Sequence, residues 1–206
     1  MENQGHETIL PTARLVVQRE AAAVARLEHQ LDRAFVAAAR LLLGCTGRVV
    51  CCGVGKAGII ARKLAASLAS LGTPGLFLHA AEAVHGDLGM VTADDVVVLF
   101  SHSGSTAEIV AVLGPLADLG VDLIAVTDKR DSPLAQAASI ILCPGVDKEA
   151  DHLGLAPTAS TTAALVLCDA LAVSVAAARG FGRDDFARRH PDGTLGRQLA
   201  GPTQPH

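Results

Sequence analysis

The sequence predicts an α/β fold, a three-layer α-β-α sandwich around a central five-stranded parallel sheet, and three observations predict it. Short β-branched runs recur as continuous apolar stretches rather than alternating ones, which is how strands buried on both faces read. Ala- and Leu-rich helical segments separate them, giving the βαβ rhythm of a parallel sheet with crossovers of the usual hand. With 206 residues, 50% of them apolar, and a net charge of −4, the chain can bury one sizeable core and is short for two.

Residues 12 to 43 carry no interior Gly or Pro and place Leu27, Leu31, Ala34, Phe35 and Ala38 at helical spacing, which predicts one long helix or two with a bend. Strands are expected at "RVVCCG" (48 to 53), "GLFLH" (75 to 79), "DVVVLFS" (95 to 101), "VDLIAVTD" (121 to 128) and "SIILCP" (139 to 144). Helices are expected at 56 to 71, 105 to 119 and 131 to 138. A largely buried helix over 158 to 180, closed by Gly180, and a short acidic-basic helix at 183 to 189 complete the set. Residues 12 to 200 read as one domain, with disordered ends at 1 to 11 and 201 to 206.

Composition excludes several classes. No apolar stretch approaches the roughly 20 residues of a membrane helix. The N-terminus lacks the basic, apolar and small-residue regions of a signal peptide, so the expected location is cytoplasmic. Cys45, Cys51, Cys52, Cys143 and Cys168 are odd in number and fall mostly in apolar runs, as reduced core residues do, with no Cys-x-x-Cys pair to suggest zinc. Cys51 and Cys52 are adjacent on a strand and should face opposite ways. Mild acidity, five Phe and no Tyr or Trp argue against a nucleic-acid partner. An anionic ligand must be held locally, by backbone amides and a few cations.

In parallel sheets ligands sit beyond the carboxyl ends of the strands, which directs attention to 53 to 58, 79 to 88, 101 to 106, 127 to 132 and 144 to 157. Gly53-Val54-Gly55-Lys56-Ala57-Gly58 is a literal G-x-G-x-x-G after a strand. A dinucleotide site wants an acid at the end of the second strand, where this chain has His79, and Glu82 comes too late. A triphosphate loop wants Ser or Thr after the lysine, where this chain has Ala57. Lys56 is instead placed to reach an anion or a developing oxyanion, or is an exposed first-turn lysine without a task.

"SHSGST" opens the next helix with Ser101, Ser103 and Thr106 presenting hydroxyls and Gly104 permitting close approach, a cradle for a phosphate dianion or a serine-capped helix start. "PTASTT" opens another, and Ser160 and Thr161 could face the same pocket or merely cap it. His79, Glu82 and His85 recur at three-residue intervals, which could gather a metal on one helical face or simply expose polar groups. Glu108, Glu149 and His190 matter only if the fold brings them together.

The ordered set "GVGKAG", "HAAEAVHGDLGMV", "SHSGST", "DKEADHLGLAPTASTT", "DALAV" and "ARRHPDGTLGR" resembles the sugar isomerase (SIS) domain, and within it the arabinose-5-phosphate isomerase family, across roughly residues 12 to 200. The resemblance implies a flavodoxin-like sandwich, a homotetramer with active sites at subunit interfaces, and interconversion of D-ribulose 5-phosphate and D-arabinose 5-phosphate with no cofactor. Positions matching the family's catalytic residues are Lys56, Glu108, Glu149 and His190, with His85 touching substrate. Substrate contacts are implied at Gly55 and at Gly72 and Thr73. Ser101, His102, Ser103, Gly104 and Thr106 in the serine loop, and Ser160 and Thr161 beyond it, are implied as well. His79 matches a position where family members bind an inhibitory zinc. The chain departs from the family pattern at Ser105, at "HPDG" and at "HAAEA", and it stops before the tandem cystathionine-β-synthase-type modules of longer members, which implies a short form.

Such an isomerase needs a base and a stabiliser for an enediolate oxygen. Glu149 or Glu108 is expected to abstract the proton, burial raising its pKa toward neutrality, while Lys56 and His85 polarise the carbonyl and His190 shuttles protons or opens the furanose. The alternatives are another phosphosugar isomerase, for a hexulose 6-phosphate or an aminosugar phosphate, and a non-catalytic phosphosugar sensor.

Overall fold

The structure, a computed structural model, describes residues 2–191. Two helices open it. α1 (Glu2–Gln30) and α2 (Arg33–Gly44) part at Asp32, whose Oδ1 accepts hydrogen bonds from the backbone N–H of Ala34 (2.8 Å) and Phe35 (3.4 Å). Satisfying two N-terminal amides starts a new helix, so the long apolar segment forms two. α1 begins well before Thr12: residues 2 to 11, expected to be a disordered end, are helical, and Pro11 forfeits one hydrogen bond without ending the helix. The expected disordered tail at 201 to 206 lies outside the described residues.

Five parallel strands follow, β1 (Val49–Gly53), β2 (Gly75–His79), β3 (Val96–Phe100), β4 (Asp122–Val126) and β5 (Ile140–Leu142), in the order β2-β1-β3-β4-β5. The crossovers carry α3 (Gly55–Ser70), the single turn α4 (Ala80–Ala83) with a 3-10 turn at Asp87–Met90, α5 (Ala107–Leu119) and α6 (Pro133–Ala137). α7 (Ala159–Ala178) and α8 (Arg183–Arg189) complete the described chain. Apart from α1, and from α4 and the 3-10 turn, which have no expected range, these bounds agree with the sequence-based ranges to within a residue or two.

Strand alternation divides the core. Val49, Cys51, Val96, Val98, Phe100, Ile124 and Val126 face α1, α2, α3 and α7, while Val50, Cys52, Val97, Leu99, Leu123 and Ala125 face α4, α5 and α6. Cys51 and Cys52 therefore point to opposite layers, and all five cysteines are free. Burial pushes the Cys52 thiol up to about 12, so it behaves as a small hydrophobe.

α7 is 20 residues long and, by length and composition, apolar enough to cross a membrane, contrary to the expectation that no stretch qualifies. Here it is a core helix: Ala163, Leu167, Leu171, Ala172 and Val175 are buried against the sheet layer, and α7 packs on α1, α2 and α3. The core takes one face of the helix, while Val173 and Asp169 on the other are exposed or half-exposed.

The glycine turn has a packing reason. A Cβ on Gly53 would stand 2.9 Å from the Gly58 Cα, and one on Gly58 would stand 3.0 Å from the Gly53 carbonyl carbon. The two glycines let α3 press directly on β1, aiming its first turn at the carboxyl edge of the sheet. Gly53→Ala is therefore expected to destabilise the protein by about 1–3 kcal/mol, as overpacking against backbone does, read as a lowered midpoint in denaturant unfolding. A variant as stable as the parent would remove this role.

Candidate active site

A parallel sheet sends the helix after each strand away from the carboxyl edge, so the helix N-termini, with their unpaired amides and positive dipole ends, gather there. α3, α5 and α7 do so here. The sequence supplies three different endings for them.

α3 starts without a side-chain cap; Gly55 turns through a positive φ of 59° and Lys56 stands exposed in its first turn. α5 is preceded by Thr106 at the N-cap position, yet that hydroxyl caps nothing: it bonds Ser101 Oγ at 2.7 Å. The first-turn amides of α5 are thus left open beside Ser101, Ser103 and Thr106. Gly104 (φ 64°) allows the loop to close, because any Cβ there would overlap the Ser132 hydroxyl. The loop is pinned from outside, the His102 carbonyl accepting from Thr127 Oγ1 (3.2 Å) and the Asp128 N–H (3.3 Å). Pinned hydroxyls around an open helix end form an anion cradle that needs no reorganisation.

α7 is different, because its N-terminus is already filled by a carboxylate. Glu149 Oε2 accepts from the Thr158 N–H (2.8 Å), the Thr158 hydroxyl (3.2 Å) and the Ser160 N–H (3.1 Å), and the Ser160 hydroxyl donates to Oε1. Burial pushes the Glu149 carboxyl up, but the hydrogen bonds from Ser160 and Thr158 outweigh it and hold the group below the usual carboxylate range. The raised pKa expected of a buried base is therefore not what this glutamate has. Its loop is fixed in turn by Asp151, which accepts from the N–H groups of Leu153, Leu155 and Ala156, and by Arg19 of α1 on the Ala150 carbonyl.

Between these helix ends lies a small pocket lined by Ala57, Ser101, His102, Asp128, Ser160 and Thr161 among others. It adjoins a cleft of about 270 Å³ to which His102, Lys148, Glu149, Leu155 and Ser160 contribute. Ser160 and Thr161 thus do face the serine loop. Glu108, in the first turn of α5, is half-buried beside it. His85 is exposed just past α4.

Other expected groups stand elsewhere. His190 Nε2 pairs with Ser70 Oγ at 2.9 Å, Nδ1 with the Phe186 carbonyl oxygen at 2.8 Å, and the ring stacks on Phe186. Ser70 ends α3, 14 residues beyond Lys56 and so about 21 Å along the helix. Gly72 and Thr73 lie in the same turn, at the amino edge of the sheet, where a Cβ on Gly72 would meet Phe181. Within one chain, His190, Gly72 and Thr73 do not join Lys56, the serine loop and Glu149.

The spacing of His79, Glu82 and His85 does not form a metal-binding helical face, because α4 is one turn long and His85 lies beyond it. His79 Nδ1 is buried without a hydrogen-bond partner, but no group of three or more His, Cys, Asp and Glu side chains able to hold a metal exists among the described residues. One imidazole does not make a zinc centre.

Sequence reasoning missed Asp128. It lies at the carboxyl end of β4, inside a stretch singled out by topology, and its side chain, 6% exposed, approaches His102 Nδ1 to 2.9 Å. A lone Asp in "VTDKR" carries no signal of its own; only the neighbouring strand's loop reveals its partner.

The arrangement has close relatives. Residues 42–174 match the SIS domain family model. The chain is 52% identical over 188 residues to arabinose 5-phosphate isomerase KdsD of Pseudomonas aeruginosa, covering 91% of this chain and 58% of that protein. Against KdsD of Escherichia coli K12 the identity is 50% over 185 residues, covering 90% and 56%. The chain therefore spans somewhat over half the length of these relatives. The solved structure of the E. coli CFT073 protein c3406 in complex with arabinose 5-phosphate superposes with a TM-score of 0.86 at 44% identity, covering 93% of this chain and all of that one. With the family model covering well over half its length, the chain belongs to the SIS domain family.

Proposed function

We propose that the protein is an aldose-ketose isomerase that interconverts D-ribulose 5-phosphate and D-arabinose 5-phosphate through an enediolate. The observation that carries this reading is the open, hydroxyl-ringed N-terminus of α5 set beside a lysine and two carboxylates at one sheet edge. The identities to arabinose 5-phosphate isomerases support the choice of substrate. The cradle holds the phosphate, so that binding energy from the unreactive end orients the reacting carbons.

The hydrogen bonds around Glu149 support a division of labour between the glutamates. All four donors around Glu149 hold it as an ionised cap, a poor base, so it positions the N-terminus of α7. Glu108, beside the cradle, is the carboxylate left to move the proton between C1 and C2. Lys56, with His85, stabilises the enediolate oxygen. His190, with Gly72 and Thr73, comes to this site from a second subunit, because their separation along α3 forbids convergence in one chain. The resulting assembly is the homotetramer that the family resemblance implies, with shared sites.

Incubation with D-ribulose 5-phosphate in deuterated water is expected to give arabinose 5-phosphate labelled at C2. Binding without turnover would favour a sensor.

Glu108→Gln should lower kcat by about 10²–10⁴-fold with KM little changed, the usual cost of removing a general base. A Glu108→Gln enzyme with parental kcat would move the base to Glu149.

Glu149→Gln should lower the melting temperature. Because the folded state depresses this pKa, its contribution is present above the unfolded value of about 4.3 and is lost as pH falls through the lower folded value. The stability gap between parent and variant should therefore be full at neutral pH and close on acidification.

Mixing inactive Lys56→Ala and His190→Ala chains should restore about a quarter of the parental activity if each site draws on two subunits randomly paired. No recovery after co-refolding would place His190 outside the site.

A further inference from the structure

The serine cradle has hydroxyls and amides but, in its own pocket, no Arg or Lys: the lining from α3 is Ala57 and Ile60, and that from α7 is Ser160, Thr161 and Ala164. A phosphate dianion buried there calls for a cation. The one ionisable nitrogen base on that lining is His102, which also borders the neighbouring cleft.

Its surroundings favour the charged form. Nδ1 lies 2.9 Å from Asp128 Oδ2, and that oxygen, buried from solvent, has no other donor among the described residues. The other oxygen, Oδ1, accepts from the Gly145 N–H (2.6 Å) and from Cys143 Sγ (3.1 Å), which fixes the carboxylate from the β5 side whatever the imidazole does. The contact with Asp128 raises the imidazole pKa, burial opposes it, Glu149 across the cleft adds to the rise and Lys129 subtracts from it. Lys148 lines the same cleft. Nδ1 being turned to Asp128, Nε2 is left without a hydrogen-bond partner among the described residues.

We propose that His102, backed by the buried carboxylate of Asp128, is the cation of the cradle, and that its Nε2–H is the charged donor that meets the phosphate of the substrate. This rests on the reading of the site as one for a sugar phosphate, and it makes His102 a binding residue and Asp128 a positioning residue. Charge-assisted donors to phosphate are stronger than neutral ones, and removing one weakens binding on the order of tenfold.

Below its raised pKa the imidazole is charged and binding is tight; as pH rises through that value the charge and the added affinity are lost. The second ionisation of the phosphate runs the other way, strengthening binding as pH rises through about 6.

Calorimetric titration of the full chain with D-arabinose 5-phosphate between pH 6 and 9 separates the two limbs, with turnover measured on the same samples. Sulfate, whose charge is constant over that range, serves as a second probe. The parent should lose affinity for both ligands on the alkaline side. His102→Asn, a change at a half-exposed side chain, should bind about tenfold more weakly near pH 6.5 and lack the alkaline limb for both. Asp128→Asn should move that limb to lower pH while His102 is still present. A His102→Asn protein with parental affinity and an intact alkaline limb overturns the proposal, as does a parent that binds neither ligand. Binding with these changes but no turnover leaves the proposal standing and overturns the isomerase reading alone.

Discussion

The constraint on which the rest depends is the parallel sheet, which collects the N-termini of α3, α5 and α7 along one edge. Each brings unpaired amides and a positive dipole end, and each must find an anion, a cap or water. The chain answers differently at each. α7 is closed by its own glutamate, α5 is kept open because its would-be cap is tied to Ser101, and α3 adds a lysine to an uncapped start. The difference between a closed and an open helix end is the difference between a wall of the site and its floor.

Holding these ends in register is the work of contacts outside the pocket. Gly53 and Gly58 let α3 lie against β1, and Gly104 lets the serine loop close on Ser132. Arg19 and Glu20 of α1 reach the Ala150 carbonyl and the Thr162 hydroxyl, tying the first helix to the loop and helix that present Glu149 and Ser160. A cap supported by three segments loses little freedom when ligand arrives, which is the meaning of preorganisation here.

The Cys143, Asp128 and His102 side chains form a second line of support, running from the end of β5 across β4 to the loop after β3. Neighbouring strands in the sheet thus place neighbouring side chains in one electrostatic unit, although 15 residues separate Cys143 from Asp128. A buried carboxylate with one oxygen lacking a donor of ordinary direction is tolerable because the His102 imidazole stands against it, and the contact favours the charged form of that ring.

The sequence by itself determined the layers and most of their bounds. Continuous apolar runs and Ala-rich helices depend on local periodicity, and the alternation that parts Cys51 from Cys52 is a property of any strand. It also marked the serine loop and the glycine turn, because hydroxyls and glycines at a strand-to-helix junction stand where the helix amides are unpaired, although capping and close packing use the same residues. It misjudged the ends of local patterns: residues 2 to 11 continue a helix past Pro11, and α7, a core helix, passes the length and hydropathy test of a membrane span. Only the tertiary structure decided that Glu149 closes α7, that His102 finds Asp128, and that His190 lies at the far end of α3. Those outcomes depend on which loops a sheet order of β2-β1-β3-β4-β5 brings within a few ångströms, and such long-range pairing leaves no periodic trace in the chain.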